Sequence, residues 1–123
     1  MILKNKSLNW GILGLGKIAG QFVNDLKLIE DVSIVACASR SMSNAINFAG
    51  QHEIGRSYGS YQELFKDDEV EIIYIATTHD SHAELSIEAM KNGKHVLCEK
   101  PLAINRKDVQ RMVEVSRKYN VFL

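Results

Sequence analysis

A chain of 123 residues that is 46% hydrophobic has the length and apolar content for one domain with a real core. Its 15 basic and 15 acidic side chains cancel, which removes the electrostatic case for nucleic acid or an anionic membrane surface as partner. No apolar run approaches the ~20 residues of a membrane span, the leading MILKNKSLN has no apolar core of signal-peptide length, and Cys37 and Cys98 lack C-x-x-C or metal spacing. A cytoplasmic protein with reduced thiols is therefore expected, and a disulfide would require the strands carrying the two cysteines to be neighbours.

The first informative stretch is residues 10–20, WGILGLGKIAG. It reads as an apolar strand that breaks into a glycine turn and runs straight into a helix. Gly14, Gly16 and Ala19 fill the G-x-G-x-x-G/A spacing of a dinucleotide-binding turn. Gly14 allows the tight turn, Gly16 lets the backbone approach a pyrophosphate with no Cβ between, and Ala19 lets the helix pack closely on the strand. The phosphates would face the unpaired N–H groups and positive dipole end of the new helix. Gly14, Leu15, Gly16, Lys17 and Ile18 are accordingly candidate cofactor contacts.

The helix is expected over residues 17–29, with Ile18, Ala19, Phe22, Val23, Leu26 and Ile29 on one face at helical spacing. Residues 33–39, SIVACAS, are almost wholly apolar, as suits a strand buried on both faces. Ser41 or Ser43 can cap a second helix running to His52, and residues 56–58 suit a short third strand. Ser60 and Glu63 form an S-x-x-E capping box for a short helix through Phe65. The following Lys66-Asp67-Asp68 reads as a solvated turn.

A fourth strand is expected over residues 71–77, EIIYIAT. Ser81 and Glu84 repeat the capping box before a helix carrying Ala83, Ile87 and Met90, which Gly93 can end in a left-handed conformation. Residues 95–99, HVLCE, read as a fifth strand. Asn105 and Asp108 open a last helix with Val109, Met112, Val113 and Ser116 inward, and residues 121–123 suit the start of a sixth strand. Strands alternating with helices throughout give an α/β fold: a single doubly wound Rossmann domain over residues 1–123, with strand order 3-2-1-4-5-6.

Nucleotide preference is written after the second strand. A site selective for NAD(H) places Asp or Glu there to hold the ribose hydroxyls. This chain has Ala38-Ser39-Arg40-Ser41 instead. The Arg40 guanidinium can fork onto a 2′-phosphate and stack on adenine, with Ser39 and Ser41 adding hydroxyl donors, so NADP(H) is favoured over NAD(H). Beyond the fourth and fifth strands, where open parallel sheets bind ligands, stand Thr77, Thr78, His79 and His82, then Glu99, Lys100 and Pro101. His82 is expected to point toward that crevice. His79 reads equally as helix-start polarity, and the four histidines at 52, 79, 82 and 95 form no metal set.

GLGKIA, ATTHDSH and AMKNGKHVLCEKPLA together resemble the glucose–fructose oxidoreductase, inositol dehydrogenase and rhizopine-catabolism (Gfo/Idh/MocA) family. GKHVLCEKP is the specific block. The Ser-Arg pair after the second strand and YGSYQEL are most similar to its dihydrodiol dehydrogenase and NADP-dependent sugar dehydrogenase branch. The resemblance implies that Lys100 lies beside the nicotinamide and hydrogen-bonds a substrate hydroxyl, assisting proton transfer. It implies also that Glu99 and Pro101 fix the turn presenting Lys100, and that Thr77, Thr78 and His82 contact the cofactor. Many relatives carry Pro-Asn where this chain has Thr78-His79, which leaves the role of His79 open.

Family members continue into a second domain that supplies the remaining acid/base groups, most of the sugar, polyol or diol pocket and usually the oligomer interface. The expectation is therefore a nucleotide-binding domain of a longer enzyme, as a fragment or a truncated product, that binds NADP(H) with little or no turnover. Self-association through the apolar residues 121–123 is also expected. Two other readings stand beside it: a non-catalytic NAD(P)-binding sensor or subunit, which would not need Lys100, and a Rossmann domain for S-adenosylmethionine, which leaves Glu99-Lys100-Pro101 unexplained.

Overall fold

The computed structural model describes residues 7–123. The leading MILKNK, and with it most of the stretch read above for a signal core, lies outside the described residues. Five strands, β1 (Leu8–Leu13), β2 (Val32–Ala38), β3 (Arg56–Tyr58), β4 (Ile72–Ile75) and β5 (His95–Cys98), form one parallel sheet in the order β3-β2-β1-β4-β5. The connecting helices are α1 (Lys17–Leu26), α2 (Met42–His52), α3 (Tyr61–Phe65), α4 (His82–Lys91) and α5 (Arg106–Lys118), with a single 3₁₀ turn, His79–Ser81, before α4.

Because neighbouring residues of a strand point to opposite faces, the apolar runs divide into two cores. Ile12, Cys37 and Tyr74 pack with Ala19, Val23 and Leu26 of α1 and Phe48 and Ala49 of α2. Leu13, Ala36, Ala38, Ile73 and Ile75 pack on the other face with Leu64, Phe65, Ala83, Ile87, Met90 and Met112. A sheet covered on both faces is what continuous runs such as SIVACAS require. The doubly wound Rossmann architecture is thus present.

The sixth strand is not. Residues 121–123 are not a strand; they contribute one ladder-like bond, from Val96 N–H to the Phe122 carbonyl at 2.9 Å, while Phe122 N–H donates to His95 Nδ1 at 3.0 Å. One such bond does not fix a strand against chain entropy.

Local signals were legible where the partner lies within a turn. Ser41, Ser60 and Asn105 cap their helices, accepting from the N–H groups of Asn44 (3.3 Å), Glu63 (3.3 Å) and Asp108 (2.9 Å). Gly93 is left-handed, with φ +79°. Helix α1 stops at Leu26, so Ile29 is exposed instead of joining the apolar face, and Ile18 is exposed at its start. Ser81 makes no cap bond to α4; it closes the 3₁₀ turn, its hydroxyl donating to the Thr78 carbonyl at 2.7 Å.

The Lys66-Asp67-Asp68 turn is not simply solvated. The Asp67 side chain is only 6% exposed and takes a two-pronged bond from Arg56 (2.8 and 3.1 Å), a third from the Tyr58 hydroxyl (2.8 Å) and a fourth from the Glu69 N–H (3.0 Å). Burial alone would raise the Asp67 carboxyl, but these donors outweigh it and hold it below its ordinary value. Buried Lys94 ties the same turn to the start of β5 through the carbonyls of Asp67 (2.7 Å) and Val70 (2.8 Å). Cys37 and Cys98 sit on β2 and β5, which β1 and β4 separate, and both are free thiols. Burial pushes Cys37 up to about 11.

Candidate functional site

Since all five strands run parallel, the segments after β1, β2, β4 and β5 meet along one edge of the sheet. They enclose a cleft of about 1050 Å³ between the two halves of the fold, where the strand order reverses at β1. Its walls are Gly14 and Leu15 after β1, residues 39–41 after β2, and residues 76–81 after β4. Asn44, Tyr61 and Ile104 complete it. A smaller hollow of about 500 Å³ adjoins it, sharing Leu15, Ser39 and Asn44 and adding Gly16.

The two glycines have different physical reasons. Gly14 has φ +87°, and a Cβ there would lie 2.7 Å from the Ala76 carbonyl carbon and 2.8 Å from the Thr77 nitrogen. It is glycine because the end of β4 crosses directly above it. Gly16 has an ordinary extended conformation, and a Cβ would meet nothing within 4 Å. Gly16 is also the N-cap of α1 and offers no side-chain cap. The first N–H groups of a helix have no intrahelical partner, and Gly16 at the head of α1 lines the hollow beside the cleft, so the turn fits a phosphate-bearing ligand. Lys17 and Ile18 are exposed on that first turn and are not part of the cleft walls.

The segment after β2 carries Ser39, Arg40 and Ser41 into the cleft. The Ser39 hydroxyl oxygen accepts from the Ser41 N–H at 3.1 Å, and Ser41 Oγ accepts from Asn44 N–H while lying 3.0 Å from Ser43 Oγ. Accepting a backbone N–H leaves the Ser39 O–H free to donate. The guanidinium of Arg40 is exposed, and Asp80 is the one carboxylate among the wall residues. The segment after β4 is held by its own hydroxyls: Thr77 Oγ1 lies 2.7 Å from Ser81 Oγ. His79 stands in the cleft wall with its ring 5.9 Å from that of His82, edge to face.

His82 itself does not face the cleft. Its ring is fully buried, with Nδ1 2.7 Å from the Pro101 carbonyl oxygen and Nε2 3.0 Å from the Thr77 carbonyl oxygen. The residue starts α4, and the 3₁₀ turn ahead of it rotates the ring beneath the wall and not into it.

Glu99 and Lys100 also stand outside the cleft walls, on the rim beyond β5. Glu99 accepts from the Tyr74 hydroxyl and, at 3.4 Å, from the Lys100 N–H. Burial, then the bond to Glu99, raises the Tyr74 phenol well above its usual range, so it stays a neutral donor. Tyr74 also stacks on Phe22 of α1 with ring centroids 3.8 Å apart. The Lys100 side chain is exposed, and the Lys100–Pro101 peptide is cis. Tyr74 was not singled out in the sequence because, within IIYI, it reads as another strand residue. Asn44 and Ile104 were not singled out in the sequence, and Tyr61 appeared there only within the YGSYQEL block.

Residues 8–123 match the oxidoreductase family profile described by its NAD-binding Rossmann fold (GFO_IDH_MocA). The chain belongs to the Gfo/Idh/MocA family. Trans-1,2-dihydrobenzene-1,2-diol dehydrogenase of Xenopus tropicalis is 44% identical over 116 residues, which are 93% of this chain and 35% of that protein. The pig (Sus scrofa) enzyme of the same name is 41% identical over 95% of this chain and 36% of its own length. The chain thus spans about a third of the curated relatives it matches. Among solved structures, a 3-ketoreductase of Actinomadura kijaniata in complex with NADP superposes with TM-score 0.90 at 29% identity, covering 96% of this chain and 38% of that one. An NAD binding oxidoreductase from Klebsiella pneumoniae gives TM-score 0.88 at 28% identity, over 93% and 32%.

This Gfo/Idh/MocA chain is therefore a nicotinamide-dinucleotide-binding Rossmann domain. Among the described residues no group of His, Cys, Asp or Glu could hold a metal ion, and no helix is long and apolar enough to cross a membrane.

Proposed function

We propose that this domain binds NADP(H) in preference to NAD(H), and that it serves an oxidoreductase acting on sugar, polyol or diol hydroxyls. One observation carries the preference. The walls contributed after β2 are Ser39, Arg40 and Ser41, with no carboxylate where ribose hydroxyls would be held. A carboxylate there would repel a 2′-phosphate, whereas an exposed guanidinium and free hydroxyl donors suit one. The diol class is suggested by the dihydrodiol dehydrogenases to which the chain is 40–44% identical over about a third of their length.

In this reading residues 14–18 cradle the pyrophosphate, with Gly16 admitting it and the N-terminus of α1 facing it. Thr77, Thr78 and His79 border the ribose and carboxamide. The nicotinamide, when bound, supplies the hydride acceptor or donor. Lys100 hydrogen-bonds the substrate hydroxyl and manages its proton, while the Tyr74–Glu99 bond holds the turn that bears it. The exposure of Lys100 suits a substrate surface completed by a second domain of the whole protein. Hydride transfer needs the reacting atoms about 3–3.5 Å apart, so this domain alone should bind cofactor while turning over little or nothing.

Calorimetric titration with NADPH, NADH and S-adenosylmethionine tests the reading. NADPH should bind tightest. Arg40→Asp should weaken NADPH by roughly 10- to 150-fold, the worth of a charge-assisted bond of about 1.5–3 kcal/mol, and leave NADH nearly unchanged. Equal affinity for the two cofactors, or an unmoved ratio in the variant, would remove the NADP(H) assignment.

The position of Lys100 outside the cleft walls favours one second reading, a non-catalytic cofactor-binding module. Slow NADP⁺ reduction with trans-1,2-dihydrobenzene-1,2-diol that Lys100→Ala abolishes would rule that module out. Rates equal with and without Lys100 would support it.

A further inference from the structure

The buried His82 ring is a titratable side chain at this edge that the cofactor reading leaves without a task. It lies under the wall and touches no open space, being fully buried. Its two nitrogens meet backbone carbonyls from two different segments: Thr77, a cleft-wall residue after β4, and Pro101, next in sequence to Lys100 after β5. The Tyr74 hydroxyl also reaches the turn after β5, at Glu99, but from within β4 and not from the wall segment that follows it. The Cys98 thiol approaches the carbonyls of Glu99 and Leu102, within its own turn, and Ser86 of α4, and so does not reach the wall after β4. The Thr77 and Ser81 hydroxyls bond only within theirs.

Both partners of the ring are carbonyl acceptors, which Nδ1 approaches at 2.7 Å and Nε2 at 3.0 Å, and the tautomer decides which of them receives the N–H. Without the ring, the side-chain link between the Thr77 and Pro101 carbonyls would be lost, leaving the Tyr74–Glu99 bond, which reaches the Lys100 turn from within β4 and not from the cleft wall. Adjacent strands alone do not ensure the register of that turn with the wall. The β4–β5 ladder ends with Glu99 N–H bonding the Ile75 carbonyl at 2.9 Å, before either Thr77 or Pro101.

We propose that His82 is a positioning residue whose buried ring fixes the Lys100 turn relative to the cofactor-binding wall, acting through the backbone and touching neither ligand. This rests on the cofactor reading of the cleft given above. The two contacts are then separable tasks: Nε2 against Thr77 shapes the wall, and Nδ1 against Pro101 places Lys100.

Isosteric amides separate them. The Asn side-chain N–H₂ reaches where Nδ1 stands, and that of Gln reaches where Nε2 stands. His82→Asn therefore keeps the Pro101 bond and drops the Thr77 bond, and His82→Gln does the reverse. Two quantities are measured on the 123-residue chain: NADPH affinity by calorimetry, and the position of the Lys100 amide in the ¹H–¹⁵N spectrum without ligand. In His82→Asn, affinity should fall about fivefold, the worth of one hydrogen bond of typical net strength, while the Lys100 amide stays in place. In His82→Gln, affinity should be kept and the Lys100 amide should move.

A merely structural ring would change both quantities together in both variants, and that parallel pattern would overturn the proposal. Should a variant fail to fold, the unaltered chain still decides. Saturating NADPH should shift the ring ¹⁵N resonances of His82 although the ring has no exposed surface, and unmoved resonances would overturn the proposal. Failure of the unaltered chain to bind either NADPH or NADH is a different result: it overturns the cofactor reading, and this proposal with it.

Discussion

Replacing Gly14 by Ala tests whether the glycine turn is shaped by the protein or by its ligand. Two costs follow from the geometry. At φ +87° an L-residue sits in the left-handed region, which costs about 1–2 kcal/mol. The new Cβ would also stand 2.7 Å from the Ala76 carbonyl carbon, 2.8 Å from its oxygen and 2.8 Å from the Thr77 nitrogen. These are backbone atoms that cannot rotate aside, and relieving such overpacking costs about 1–3 kcal/mol. The sum is about 2–5 kcal/mol, a large part of the ~5–15 kcal/mol that holds a domain together. With a urea slope near ~2 kcal/mol/M, the unfolding midpoint should fall by about 1–2.5 M by circular dichroism.

Gly16→Ala is the matched control. Its backbone accepts any residue and a Cβ there meets nothing within 4 Å, so stability should change by less than about 1 kcal/mol. NADPH affinity should nonetheless fall about tenfold or more, because the methyl group occupies the approach to the α1 N-terminus. A Gly14→Ala protein within about 0.5 kcal/mol of the parent would refute the close-approach argument. So would a Gly16→Ala protein that lost stability and kept its affinity.

Tyr74→Phe retains the ring stack on Phe22 but removes the donor to Glu99; about 1.5–3 kcal/mol of stability should be lost in urea titration, as for a hydrogen bond to a charged group. Asp67 makes stability pH-dependent in a stated direction. Its carboxyl titrates lower in the folded chain than in the unfolded one, so the unfolded state binds more protons as pH falls. Its contribution is therefore complete above the unfolded value of about 3.9 and is lost below it as pH drops through the folded value. Thermal melts of Asp67→Asn should show lower stability at neutral pH and a flatter acid limb than the parent.

Much of this protein was legible in the sequence because its signals are local. The two-sided apolar runs fixed a parallel sheet covered on both faces, since such runs can be buried no other way. The caps at Ser41, Ser60 and Asn105 and the left-handed Gly93 each depend on partners within a turn. The glycine spacing and the carboxylate-free end of β2 pointed to the cleft for the same reason: position along a strand determines position at the sheet edge.

What the sequence could not decide were contacts across the fold. Asp67 looked solvated until Arg56 and Tyr58, on β3, came to it. Tyr74 looked like a strand residue until Glu99, one strand over, accepted its hydroxyl. His82 was placed in the crevice because a polar residue at a helix start beside a ligand edge ordinarily faces it. One 3₁₀ turn before α4 rotates the ring beneath the wall, between two carbonyls 24 positions apart in the chain. The glycine turn was settled by composition at short range, whereas the histidine under it was settled by where β4 and β5 end in space.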